Sequence, residues 1–286
     1  MTAGSPPRIG ILLPLFGSSF AELREGARRA EAAGLDDVWV SDHLQSVPDA
    51  AAPVLEGWTT LVALASATER LGLGSLVLSS TFREPRVLAR SVETLVDVAG
   101  PRLVLGFGAG WLASEHEAFG LPFPPHAERL ARLERTLDAV RERTPEVPLL
   151  VGGASGRALD LAVRKADLWN APGDRLDELP GLVERLRARA VEASVPPPAV
   201  VSRVGLILEA TVAEAEARLA RRTSDWTRIG LGPLGLVGDA DEVVRRIGVH
   251  RALGVERIVV GLSRRDLAGG VLERLGEDVL PRVRGA

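Results

Sequence analysis

No cysteine occurs in the 286 residues, so the chain carries no disulfide, no thiol nucleophile and no thiolate metal ligand. Apolar runs are short. None approaches the ~18 residues of a membrane span, and the opening MTAGSPPR lacks the apolar centre of a signal peptide. Positive charge is not in excess either: 35 Lys+Arg against 38 Asp+Glu leave a net charge of −3, with a sequence pI near 5.9. There is no basic field to draw nucleic acid or an anionic membrane surface, and neither is an expected partner. These absences predict a soluble, cytoplasmic protein. Lysine is nearly missing as well, Lys165 being the only one; beside abundant arginine and alanine this reads as coding bias. No G-x-S-x-G, Walker glycine–lysine or H-E-x-x-H motif is present, which removes the common hydrolase, nucleotidase and metalloprotease readings.

What is there is an α/β alternation with 46% hydrophobic content, enough to bury a barrel-sized core. Arg8–Pro14 reads as a first strand. Ser19 and Glu22 form a capping box before a helix that Gly34 stops. Val38–Ser41 and Gly72–Leu78 follow as strands, with a helix over Trp58–Glu69 between them. Pro85 opens a helix carrying Leu88, Val92 and Leu95 at helical spacing. The fourth strand lies in RLVLGFGAGW, Arg102–Trp111, and its helix starts near Pro124–Pro125. Val147–Val151, Asp167–Asn170, Val200–Leu208 and Arg257–Leu262 complete eight strands, each with its helix. This pattern predicts one closed (β/α)8 TIM barrel as a single domain over residues 1–286.

Such barrels place their sites where strands end. After the second strand stand Ser41, Asp42 and His43; after the third, Ser79, Ser80 and Thr81; after the fourth, Gly108, Ala109, Gly110 and Trp111; after the fifth, Gly152, Gly153, Ala154 and Ser155. The glycines of the fourth-strand run fit a dinucleotide fingerprint poorly, because Trp111 occupies the place of its last glycine and Glu128, where the acid would fall, lies in a helical pattern. Two glycine-rich turns on one face nonetheless suit phosphate binding through bare backbone N–H groups; the alternative is a softened strand-to-loop junction with no ligand. His43 at the barrel mouth can give or take a proton beside Asp42, or can anchor a loop. His116 between Glu115 and Glu117 makes no metal site, since consecutive helical residues diverge. His126 and His250 read as solvent-facing.

EAAGLDDVWVSDHL, ATERLGLGSLVLSSTFREPRVLARSVETLVDVAGPRLVLGFGAGW, EHEAFGLPFPPHAERLARLERTLD and VGGASGRALDLAVRKADLWN together resemble the luciferase-like monooxygenase family, and within it the F420-dependent oxidoreductases. The resemblance runs from Arg8 to about Asn170 and resumes weakly over Leu236–Leu262. It implies a TIM barrel holding the deazaflavin coenzyme F420, or FMN as the alternative, with hydride transfer to an unidentified small organic substrate as the activity. Flavin monooxygenation with oxygen and non-catalytic coenzyme binding are the other readings. It implies that Asp42 and His43 stand near the ring system and carry the catalysis, with His43 as general acid or base. It further implies a third-strand bulge with a cis peptide at Leu76–Val77 against the ring. Ser79, Gly108, Ala109, Gly110, Gly152, Gly153 and Ala154 match coenzyme contacts, and Trp111 lies beside the ring. Homodimers are common in the family, so a homodimer follows by analogy. Trp111 departs from the sugar-phosphate enzymes, which carry a glutamate there. The segment at 141–148 is also shortened, so a covering loop is largely absent: either a partner subunit supplies the cover or the site is more open, and an open site favours hydride transfer over oxygen activation.

Overall fold

The computed structural model describes residues 5–47, 49–222 and 229–285. Eight parallel strands close into a barrel: β1 (Arg8–Leu12), β2 (Asp37–Val40), β3 (Gly72–Ser79), β4 (Leu103–Gly108), β5 (Leu149–Gly152), β6 (Leu168–Ala171), β7 (Ala199–Leu208) and, after a short β8 (Leu236–Gly238), β9 (Val255–Gly261). Neighbours pair in chain order from β1 to β7; β7 then pairs with β9, and β9 closes on β1. β8 pairs with the outer end of β7 alone, through Leu206–Leu236 and Leu208–Gly238. Helices α1 (Phe20–Ala32), α2 (Gly57–Ala67), α3 (Pro85–Ala99), α4 (Ala113–Ala118), α5 (His126–Arg143), α6 (Gly156–Lys165), α7 (Leu179–Glu192), α8 (Val212–Ala220) and α9 (Ala240–Ala252) intervene. The capping box expected at Ser19–Glu22 forms, and Thr211–Glu214 makes a second one at the start of α8. No described helix is long and apolar enough to cross a membrane.

The strands are apolar on both faces because both are buried. Outward residues such as Ile9, Val38, Leu105 and Ile258 pack under the helices. Inward, one residue from each barrel strand fills the lumen: Leu12, Trp39, Leu76, Val104, Leu150, Leu168, Val201 and Val259. Trp39 fits only because Gly74 is bare; a Cβ there would sit 2.2 Å from the indole Cε3. At the N-terminal end the lumen is plugged by Asp37, which accepts from Arg257 Nη1 at 2.5 Å, from Arg8 Nε at 3.4 Å and from the Trp39 indole N–H. One end is therefore sealed, and the opposite end is left for a ligand.

On β3 the Leu76–Val77 peptide is cis, and the β3–β4 register shifts between Ser75 and Leu78, as the resemblance implied. α5 leads through a tight turn, with Val147 N–H donating to the Thr144 carbonyl at 3.1 Å, directly into β5. His250 corrects its sequence reading: it is buried, with Nε2 2.8 Å from the Leu234 carbonyl, and burial lowers its pKa. Its spacing from Val243 and Ile247, both buried on α9, puts it on the core face.

Candidate active site

A cavity of about 1220 Å³ opens at the C-terminal ends of the strands. Every site residue expected from the sequence lines it: Asp42, His43, Leu76, Val77, Ser79, Gly108, Ala109, Gly110, Trp111, Gly152, Gly153 and Ala154. His126, at the start of α5, also borders it and is exposed, as read from the sequence.

Asp42 and His43 have different surroundings. The Asp42 carboxylate is inaccessible: it accepts from Arg83 Nη1 at 2.7 Å and Nη2 at 2.9 Å and from Ser79 N–H at 2.8 Å. Arg83 also pairs with Glu56, whose carboxylate caps α2 through Trp58 and Thr59 N–H. This network ties the ends of β2 and β3 to α2. It engages the carboxylate so fully that Asp42 works as a brace, and the acid–base role read for it beside His43 does not fit this geometry.

His43 instead presents its Nδ1 to Glu115 Oε1 at 3.4 Å, an ion-pair distance rather than an aligned hydrogen bond. Its ring lies 5.4 Å from that of Phe16 and 6.2 Å, edge-on, from that of Trp111. Glu115 was missed in the sequence. It is buried, and its Oε1 accepts from the Leu44 and Gln45 N–H groups, which follow His43 in the chain. Burial by itself raises its carboxyl, but the His43 imidazole and those N–H groups outweigh it, and the net direction is down. A carboxyl with a lowered folded pKa stabilises the fold above its ordinary value of 4.5, and that contribution is lost as the pH falls through the folded value. Glu115→Gln is therefore expected to melt below the parent at neutral pH and to converge with it on acidification. Tm followed against pH for both proteins reads this; an offset that stays constant down to acid denaturation would contradict it.

His116 points elsewhere. Its Nδ1 lies 2.8 Å from the Leu112 carbonyl, which can only accept, so Nδ1 carries a proton. With the ring neutral, Nε2 then accepts from Thr81 Oγ1 at 2.7 Å, and Thr81 accepts from Ser79 Oγ at 2.7 Å. Gly110, at φ +73°, lies over this chain; a Cβ on it would come within 2.8 Å of Thr81 Oγ1.

The remaining glycines also have packing reasons that the phosphate reading did not foresee. A Cβ on Gly108 would meet Val77 Cγ2 at 2.7 Å, and one on Gly152 would meet Val77 Cγ1 at 3.1 Å. The two glycine turns thus converge on Val77 from the β3 bulge. The Gly153 N–H is taken by the Asn170 carbonyl at 3.2 Å. The N–H groups that begin α6, at Gly156 and Arg157, are among those this turn can offer a ligand, whereas the next, Ala158 N–H, is capped by Ser155 Oγ.

Trp111 is 62% exposed, a large apolar face at the rim of a wide cavity. Together with Val77 and the open start of α6, it makes a site suited to a flat ring system with a charged tail.

Residues 6–146 match the family model for luciferase-like monooxygenases. An F420-dependent glucose-6-phosphate dehydrogenase of Beutenbergia cavernae is 31% identical, covering 89% of this chain and 91% of its own. An enzyme of the same description from Nakamurella multipartita is 30% identical, covering 94% of each chain. Among solved structures, an F420-dependent secondary alcohol dehydrogenase in complex with an F420–acetone adduct superposes with a TM-score of 0.79 at 18% identity, covering 97% of this chain and 99% of that one. With the closed barrel and the strand-end cavity already described, these likenesses place the chain in the luciferase-like monooxygenase family, as an oxidoreductase.

Proposed function

We propose that this protein is an F420-dependent oxidoreductase acting on a small organic alcohol or carbonyl compound. The observation that carries the reading is the His43–Glu115 pair at the wall of the cavity. A carboxylate 3.4 Å from Nδ1 favours a proton on that nitrogen electrostatically, which leaves Nε2 as the nitrogen available to a substrate. Nε2 then takes the hydroxyl proton when an alcohol is oxidised, or returns it when a carbonyl is reduced, and Glu115 stabilises the imidazolium formed. The relatives at 30–31% identity are F420-dependent dehydrogenases, which supports the coenzyme.

The cavity residues fit that coenzyme. Val77 and Trp111 offer apolar surface to a ring, and the start of α6 offers N–H groups to a phosphate. When bound, F420 supplies or accepts the hydride; the chain supplies position, proton handling and a partly dry wall. The resemblance implies an acid in the sugar-phosphate enzymes at the place of Trp111; the exposed aromatic here favours a less polar substrate.

The test is anaerobic. With F420 and a panel of alcohols and carbonyls, coenzyme absorbance is expected to change with substrate and without oxygen. Oxygen consumption with reduced FMN, and no reaction with F420, would contradict the proposal.

A further inference from the structure

Arg203 stands on β7 two residues beyond Val201, which faces the lumen. Alternation along a strand puts both side chains on the same face. Arg203 also registers beside Val259 of β9, another lumen residue. Its side chain therefore points into the barrel mouth, and it lines the cavity. The guanidinium packs against bare backbone: a Cβ on Gly173 would lie 3.3 Å from both Cδ and Nη1.

Among the described residues the Arg203 side chain makes no hydrogen bond and no ion pair. Burial pushes its pKa down, and Asp174 opposes that only through space. Another carboxylate on this wall, Asp266, is already held by Arg218 and Arg222. A guanidinium has five donors and no acceptor, and this one, half-buried at the cavity wall, is partly desolvated with no protein acceptor among the described residues. The group that satisfies it in a planar, two-pronged way is a carboxylate or phosphate.

We propose that Arg203 is an oxyanion-binding residue of the cavity, receiving a carboxylate or phosphate borne by the substrate or by the coenzyme. The occupant rests on the function proposed above; the anion preference does not, because it is read from binding alone. An arginine kept for a ligand should weaken the empty protein and strengthen the occupied one.

The test uses the full chain, Arg203→Met and Arg203→Lys, with tryptophan fluorescence following titration by F420, inorganic phosphate and benzoate, and Tm measured without ligand. Arg203→Met is expected to raise the Tm of the free protein by roughly 3 °C and to lose about tenfold or more in affinity for at least one probe. Arg203→Lys should lose less. A loss confined to F420 assigns the oxyanion to the coenzyme; a loss for benzoate or phosphate with F420 unchanged assigns it to the substrate. Failure of the parent protein to bind F420 would sink the coenzyme reading while leaving the other two titrations decisive. Unchanged affinity for all three probes would overturn the proposal. So would a lower Tm in Arg203→Met, which would make Arg203 a structural partner of Asp174.

Discussion

His43→Ala is expected to lower turnover by about 10²–10⁴-fold while F420 affinity stays within about twofold of the parent value, since the loss falls on proton transfer alone. The side chain is mostly enclosed, with Nδ1 toward Glu115 and the ring between Phe16 and Trp111. Removing it takes away the imidazole that is paired with a buried carboxylate, whereas His116 is engaged at both nitrogens by Leu112 and Thr81 and His126 stands exposed at the start of α5. Folding should survive. Glu115 keeps two backbone N–H donors from Leu44 and Gln45, so the variant leaves no orphaned buried charge. Steady-state kinetics beside a coenzyme titration separate the outcomes. Loss of affinity together with turnover would mean that His43 anchors the ring, the loop-holding alternative.

Asp37→Ala is expected to cost about 3–5 kcal/mol of stability, or a fall in Tm of about 10 °C. Asp37 is fully buried at the closed end of the barrel. Arg257, largely buried itself, would lose its 2.5 Å partner, and the Trp39 indole N–H would lose its acceptor. Arg8 is more exposed and would turn to water, so most of the cost falls on Arg257. Replacing the pair by Asp37→Ala with Arg257→Met should recover much of the loss, because no unpaired charge then remains. Thermal unfolding of the two variants reads this directly. Equal stability of Asp37→Ala and parent would show that the plug is not a structural element.

The barrel was legible because its strands are short apolar runs at regular intervals, and the core-facing sides of helices such as α3 carry the 3.6-residue pattern. β8 was not, since three residues paired to one neighbour leave no periodic signal. Positions at strand ends were legible for the same geometric reason, and those residues do line one cavity. Their partners were hidden. Nothing local ties Glu115 on α4 to His43 after β2, or Arg83 after β3 to Asp42, because each pair meets only when the barrel closes. The glycine runs showed where backbone is bare without showing that Val77 is what presses on it. Arg203 left a visible trace, a lone charge within the apolar strand run VVSRVGLIL, and its inward alternation with Val201 gives that trace its meaning.

The measurement that tests the account most directly is a pair of titrations of the purified protein, one with F420 and one with FMN, following quenching of tryptophan fluorescence. Trp111, exposed at the rim of the cavity, is the reporter. The account predicts saturable, micromolar-range binding of F420 with little response to FMN. Preference for FMN would contradict it and move the chemistry to reduced flavin and oxygen; no response to either would remove the coenzyme from this cavity.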